Sequence, residues 1–185
     1  MNDAQVMNLS ALLAQTAALH PDRPGLIQGE RQWTWREINA RVDACVQALR
    51  ELGMKPGDKL LVQSRNGLAM FESCWAAFRL GAVWVPTNFR LTPPEVAYLG
   101  ASSEASVMLC EDVFPEHIDA VRAEFPGTVR IILSGHAERE SILRALPIMH
   151  QYLRKPCEPG ILRTAIARCL DIAGRPSGDV RALIG

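Results

Sequence analysis

Apolar residues recur with two different periods along the chain, and their alternation predicts the order of the secondary-structure elements. Apolar positions three or four residues apart predict helices over residues 10–19, 34–52, 68–78, 92–99 and 117–125. Short apolar runs bounded by turn residues predict strands over 60–62, 82–86, 107–110 and 128–136. Two further strands flank Gly29 and predict a hairpin over residues 26–34. Strands that alternate with helices predict an α/β fold with a mostly parallel sheet flanked by helices.

Residues 128–136 carry the most informative of these strands. The run Thr-Val-Arg-Ile-Ile-Leu-Ser-Gly-His is apolar and β-branched at its centre, and helical patterns flank it on both sides. Strands of parallel sheets are covered on both faces and therefore read as continuous apolar runs. We expect this strand to lie inside the sheet.

Two of the predicted helices begin with a recognisable cap. Thr34 and Glu37 have the spacing of a capping box, and so do Thr92 and Glu95 with proline between them. In the predicted helix 68–78, which lies between these two, four apolar residues recur at helical spacing and predict the side that faces the core, an inward stripe. They are Leu68, Phe71, Trp75 and Phe78.

Composition excludes several classes of protein. The chain has 185 residues, of which 48% are hydrophobic, so it can bury a sizeable core. Because Lys and Arg number 20 and Asp and Glu number 20, the charge balance gives no reason to expect nucleic acid or a membrane as partner. The N-terminus lacks the basic and apolar regions of a secretory signal, which predicts a cytoplasmic protein. The five cysteines contain no Cys-x-x-Cys pair, so we predict neither a metal site nor a disulfide framework.

Four sequence motifs in the first two thirds of the chain occur in order: 34–39 (Thr-Trp-Arg-Glu-Ile-Asn), 52–58 (Leu-Gly-Met-Lys-Pro-Gly-Asp), 78–83 (Phe-Arg-Leu-Gly-Ala-Val) and 85–95 (Val-Pro-Thr-Asn-Phe-Arg-Leu-Thr-Pro-Pro-Glu). With this spacing, residues 8–125 resemble the N-terminal portion of acyl-CoA synthetases of the adenylate-forming superfamily. The resemblance implies activation of a carboxylic acid with ATP and Mg²⁺ to an acyl-adenylate, followed by transfer of the acyl group to CoA.

Asn88 and Arg90 match the family turn that lies near the nucleotide end of CoA. Arginine is suited to phosphate binding, but without the rest of the active site the sequence favours a solvated arginine on a loop. The family's phosphate loop, its adenine and Mg²⁺ motif, its ribose-binding Asp and its catalytic Lys have no counterpart in this sequence. We therefore predict no catalytic residue, no cofactor bound by this fragment, and no autonomous ligase activity.

The end of the chain resembles a different family. Residues 129–138 and 150–157 resemble the last two strands of a response-regulator receiver domain. The resemblance implies that Ser134 follows a phosphoryl group on an aspartate and that Lys155, before Pro156, pairs with that group. The strand that would carry the phosphoacceptor is 107–110, and Asp112 follows it. A plain acidic loop with an ordinary salt bridge is the alternative interpretation of Asp112.

The two resemblances together predict a chimera of two partial α/β domains. The predicted parts are residues 1–125, which are synthetase-like, residues 126–173, which are receiver-like, and a flexible tail over 174–185. The predicted function is that of a truncated acyl-CoA synthetase-like protein. The alternative is a signalling or interaction module of the phosphorelay type, with a protein partner bound through the receiver-like half.

Overall fold

The computed structural model describes residues 8–124, 129–134 and 151–154. Lys155, Pro156 and the predicted tail lie outside these residues, so the predictions made for them stay predictions. Strand residues 129–134 and 151–154 both belong to the segment predicted as receiver-like.

Five helices and seven strands are present in the described residues. In chain order they are α1 Ser10–Leu19, β1 Pro24–Gln28, β2 Arg31–Thr34, α2 Trp35–Glu51, β3 Lys59–Gln63, α3 Leu68–Leu80, β4 Val83–Pro86, α4 Pro93–Ser103, β5 Val107–Glu111, α5 Pro115–Glu124, β6 Val129–Ser134 and β7 Gln151–Arg154. The hairpin β1–β2 is antiparallel. The remaining strands form one sheet.

That sheet has five strands in the order β4-β3-β5-β6-β7, and every neighbouring pair is parallel. The central strand β3 pairs on one side with β4, where Leu61 lies opposite Val85, and on the other with β5, where Leu61 lies opposite Met108. The predicted α/β class and the mostly parallel sheet flanked by helices are therefore confirmed.

The two faces of the sheet are covered by different helices. Leu60 and Val62 of β3 pack into a core with residues of α1, α2 and α3. Leu61, between them, packs into a second core with residues of α4 and α5. This alternation follows from the two-residue period of a strand, and it produces a three-layer arrangement with helices on both faces.

Both predicted capping boxes are formed. The backbone N–H of Thr34 donates to Glu37 Oε2 at 2.7 Å, and the N–H of Glu37 donates to Thr34 Oγ1 at 3.3 Å. Thr92 and Glu95 make the same reciprocal contact at the start of α4. These caps satisfy helix N–H groups that have no partner inside the helix.

The predicted inward stripe of α3 is confirmed in part, since Phe71 and Trp75 pack against the core. The buried residues of α3 are small apart from one, namely Ser73, Ala76, Ala77 and Leu80, whereas Phe71 and Trp75 are only partly buried. Small side chains allow the helix to approach the sheet closely, and the aromatic rings pack edge to face along its flank, with the Phe71 and Trp75 ring centroids 6.0 Å apart.

None of the helices in the described ranges is long and apolar enough to cross a membrane.

Candidate functional site

The sheet reverses its direction of winding between β3 and β5, and the switch point lies at the carboxyl ends of these two strands. The chain leaves β3 towards α3 on one face and leaves β5 towards α5 on the other face. The loops that follow these neighbouring strands therefore diverge. In open α/β sheets, ligands bind at such a position.

Buried polar side chains gather at this edge. They follow β3, β4 and β5 or begin α5, and they are Gln63, Ser64, Thr87, Glu111 and His117. Burying a polar group without a hydrogen bond is unfavourable. The hydrogen-bond partners of these side chains therefore determine which of them are available to a ligand at this edge of the sheet.

Glu111, the last residue of β5, is bound by the loop that follows β3. Its Oε2 accepts a hydrogen bond from the backbone N–H of Arg65 at 2.9 Å. The Ser64 hydroxyl lies 3.3 Å from the same oxygen and 3.0 Å from the Arg65 carbonyl oxygen, and its one proton is donated to only one of them. Glu111 Oε1 accepts from Arg65 Nη2 at 3.1 Å. The hydrogen bond and the charge of Glu111 raise the pKa of Arg65, and the charge of Asp112 adds to this effect. A carboxylate and a guanidinium thus join the loop after β3 to the end of β5.

Gln63 is fully buried at the end of β3, beside Thr87. The Thr87 hydroxyl lies 2.9 Å from the carbonyl oxygen of Val62 and also contacts Gln63 Oε1. A hydroxyl has one proton, so it donates to only one of these oxygens. Gln63 Nε2 has no partner among the described residues. If the hydroxyl donates to Val62, the Gln63 amide is turned so that its nitrogen donates to Thr87 and its oxygen is the unpaired atom. In both arrangements one amide atom lacks a partner there.

Asn88 and Arg90 lie on the exposed loop between β4 and α4. Asn88 Oδ1 accepts a hydrogen bond from the Arg90 backbone N–H at 3.0 Å, which orders the turn. The Arg90 guanidinium carbon lies 5.3 Å from the centre of the Phe89 ring. His117 Nε2 is 2.7 Å from the Leu91 carbonyl oxygen and so ties this loop to α5.

Asp112 and Ser134 lie at the same edge of the sheet. Asp112 directly follows β5, and Ser134 is the last residue of the neighbouring strand β6. Ser134 is aligned with Arg154, the last residue of β7, and Lys155 would follow it. Within residues 8–124, 129–134 and 151–154 no group of three His, Cys, Asp or Glu side chains could hold a metal ion.

Sequence reasoning did not identify Gln63, Ser64, Arg65 and Glu111 as site residues. A signal for them was present, since three polar residues directly follow the apolar run of β3 at a strand end. The contact of Glu111 with that loop could not be predicted, because the sequence does not show that β3 and β5 are neighbouring strands.

Residues 13–159 match the family of AMP-binding enzymes. A feruloyl-CoA synthase from Amycolatopsis sp. is 33% identical over 122 residues, which cover 66% of this chain and 24% of that protein. A long-chain-fatty-acid–CoA ligase from Mycobacterium tuberculosis is 31% identical over 126 residues, covering 66% of this chain and 25% of the relative. The chain therefore spans about a quarter of the length of the curated relatives it matches.

Solved structures share the fold. A fatty acyl CoA synthetase from Mycobacterium tuberculosis superposes with a TM-score of 0.64 at 26% identity, over 74% of this chain and 28% of that one. A benzoate CoA ligase from Burkholderia xenovorans LB400 has a TM-score of 0.64 at 23% identity, over 69% of this chain and 26% of that one. The family match covers most of the chain, and the fold agrees with it. The chain belongs to the family of AMP-binding enzymes.

Proposed function

We propose that this chain is the N-terminal α/β portion of an acyl-CoA ligase, which activates a carboxylic acid with ATP and Mg²⁺ and transfers the acyl group to CoA. The observation that carries the proposal is the match over residues 13–159 to AMP-binding enzymes, together with relatives named as CoA ligases and synthases. The portion contributes a scaffold and does not catalyse the reaction by itself.

The chemistry of adenylation supports this division. The reaction must stabilise charge that develops on a phosphoryl group, which requires cations and donors aimed at it. At the carboxyl edge the guanidinium of Arg65 is bound to Glu111, and Arg90 is on an exposed loop. The residues 8–124, 129–134 and 151–154 provide no cluster that fits Mg²⁺, so no step is assigned to the metal here.

Arg90 is the residue best suited to contact CoA. Its side chain is exposed, and the hydrogen bond between its N–H and Asn88 orders the turn that presents it. A guanidinium fork matches the oxygens of a phosphate group. In this proposal Arg90 binds a phosphate of the CoA nucleotide, and Asn88 holds the turn.

Thermal unfolding with added CoA tests this role. We expect CoA to raise the melting temperature of the wild-type chain, because a ligand that binds only the folded state stabilises it. Arg90→Gln should abolish the increase, whereas Arg31→Gln, which changes an exposed arginine of the distant hairpin, should retain it. An unchanged melting temperature of the wild-type chain would show that this portion does not bind CoA by itself.

A pyrophosphate-release assay tests the lack of catalysis. The purified chain with ATP, Mg²⁺, CoA and either ferulate or acetate should release no pyrophosphate above the control without acid. Release that depends on the acid would show autonomous adenylation and would refute this part of the proposal.

A signalling module is the second candidate, and one observation favours it. The strand order corresponds to 2-1-3-4-5 of the doubly wound sheets to which receiver domains belong. Asp112 and Ser134 follow or end neighbouring strands of that sheet, and Lys155 follows the next. In this candidate function the Asp112 carboxylate attacks the phosphorus of a phosphoryl donor, and the donor's leaving group departs.

Acetyl phosphate discriminates between the two candidates. Intact-mass measurement after treatment would show the gain of one phosphoryl group, with acetate released, if Asp112 is a phosphoacceptor. Asp112→Asn should then lose the gain, and Asp119→Asn, on the exposed side of α5, should keep it. Absence of the gain, or its persistence in Asp112→Asn, would exclude this candidate.

A further inference from the structure

The carboxylate of Glu111 is held by a set of donors of the kind that proteins use to bind anions. The set comprises a backbone N–H, the Ser64 hydroxyl, and the Nε and Nη2 atoms of Arg65, at 2.9, 3.3, 3.4 and 3.1 Å from the Glu111 oxygens. Backbone N–H groups and a guanidinium fork recognise carboxylate and phosphate oxygens in the same geometry. Glu111 therefore lies where an external oxyanion would find its hydrogen bonds.

The position in the fold adds an independent argument. The donors come from the loop after β3 and the carboxylate comes from the end of β5, the two strands at which the chain's crossovers change face. This is the location at which doubly wound sheets bind ligands.

The two charged side chains of this site differ in exposure. The Glu111 side chain is 10% exposed, whereas the Arg65 side chain is 58% exposed. An incoming anion can therefore reach the guanidinium first and then take over the N–H and hydroxyl donors as Glu111 leaves. The exchange of one carboxylate for another anion keeps the charge balance beside Arg65.

We propose that Ser64 and Arg65 form an oxyanion-binding site at the switch point of the sheet, which Glu111 occupies in the free chain and releases to a carboxylate or phosphate group of a ligand. Glu111 is an internal competitor for the site. Because it is tethered, its effective concentration is on the order of millimolar or higher, and the ligand must displace it. Removing Glu111 should therefore strengthen anion binding. This inference does not depend on the role proposed for Arg90.

The experiment compares Glu111→Ala with the wild-type chain in titrations with formate and with inorganic phosphate, at ionic strength kept constant with chloride. Glu111→Ala should melt at a lower temperature than the wild-type chain, and the anion should restore much of the loss with a saturating dependence. Its apparent affinity should be at least about tenfold tighter than that of the wild-type chain. A response to formate alone would assign the site to carboxylates, and a response to phosphate alone to phosphate groups.

Two variants serve as controls. Glu111→Gln keeps a side chain of the same length in the site and should respond weakly, and the double variant Glu111→Ala with Arg65→Gln should not respond. If Glu111→Ala responds no more than it does to chloride, or if the double variant responds equally, the proposal is overturned.

A measurement on the wild-type chain keeps the test valid if Glu111→Ala does not fold. The ¹H–¹⁵N signals of the Arg65 backbone amide and side-chain Nε–H should shift progressively with formate or phosphate and not with chloride. Signals that stay in place up to high anion concentration would mean that Glu111 does not leave the site, which would overturn the exchange.

Discussion

The pKa of the Cys45 thiol is changed strongly by the groups that surround it. The Cys45 side chain is partly buried against the core, and this desolvation raises the pKa of the thiol to about 12, with the nearby Glu72 carboxylate contributing in the same direction. Since the thiolate is the reactive form, Cys45 of the folded chain should react with iodoacetamide at pH 8 at least about a hundredfold more slowly than in urea. Peptide mapping of time-resolved labelling measures this directly. Equal rates in buffer and urea would contradict the burial of this thiol.

The caps of α2 and α4 give a prediction for single side chains that is independent of the core. Thr34→Ala removes the oxygen that accepts the Glu37 N–H, and we expect a loss of about 1 kcal/mol in the free energy of unfolding. Urea denaturation of the variant measures this loss. Thr16→Ala, which changes a half-buried threonine inside α1, is a suitable control, and an equal effect of both substitutions would contradict the capping role.

The same cap has a defined pH dependence. Hydrogen bonds from the Thr34 backbone and side chain lower the pKa of Glu37. A carboxyl group whose pKa is lowered by folding stabilises the folded state above its unfolded pKa, and this contribution is lost as the pH falls through the folded value. The difference between Thr34→Ala and the wild-type chain should therefore diminish in acid.

The spacing of residues along the sequence was sufficient to predict these caps, but it could not show which carboxylate at the end of β5 is buried. Both Glu111 and Asp112 follow an apolar run, and Asp112 was the candidate phosphoacceptor, with a plain acidic loop as the other interpretation. In the structure Glu111 is buried and bound to the loop after β3, whereas Asp112 is more exposed. Side chains alternate between the two faces of a strand, so two successive carboxylates point in different directions. Which of them is turned inward therefore depends on the residue at which the strand ends.

Between elements, the ion pair of Arg41 and Glu72 joins α2 to α3. Arg41 Nη2 donates to Glu72 Oε2 at 3.1 Å, and both side chains are largely buried. Burial raises the pKa of Glu72, although the contacts with Arg41 lower it in part. The balance between burial and the contacts with Arg41 predicts how the free energy of unfolding changes when Arg41 is replaced.

Arg41→Met should lower the free energy of unfolding by about 3 kcal/mol at pH 7, because it leaves a buried carboxylate without Arg41. The pKa of Glu72 then rises further, so the loss should be present above that pKa and should diminish as the pH falls towards the ordinary glutamate value. Urea denaturation at pH 7 and pH 5 measures both effects. Arg36→Met, which breaks the exposed pair with Asp22, should cost less than about 1 kcal/mol at either pH. A loss for Arg41→Met that does not change with pH would contradict this account.

The elements themselves were largely predictable from apolar periodicity, but their order in the sheet was not. Predicted and observed bounds agree at both ends of α1 and within one or two residues for β3, β4 and β5. The predicted end of α4 near residue 99 was too early, since that helix continues to Ser103, where no apolar stripe marks the last turn. The position of β3 between β4 and β5 depends on the handedness of crossovers, and α3 could place small residues inward only because the sheet lies close.

At the scale of the whole molecule, the sheet continues from one predicted domain into the other. β6 and β7 belong to the segment predicted as receiver-like, and β6 pairs along its length with β5 of the synthetase-like segment. Ile131 of β6 is buried in the same core as Leu60 and Val62, and Ile132 lies in the core on the opposite face. The family match over residues 13–159 also extends across this junction. From these contacts we expect the two segments to be interdependent in folding.

Ile131→Ala tests that interdependence, because the four tryptophans of the chain, Trp33, Trp35, Trp75 and Trp84, all precede β5. The substitution removes a side chain that is 2% exposed and should lower the free energy of unfolding by about 3 kcal/mol. If the sheet unfolds as one cooperative unit, the loss should shift the urea transition followed by tryptophan fluorescence and the one followed by far-UV circular dichroism by the same amount. Ile27→Ala, at a side chain that is 67% exposed, should leave both transitions nearly unchanged. A fluorescence transition that does not respond to Ile131→Ala would mean that residues 8–124 fold without β6, and the two segments would then be independent units despite their shared sheet.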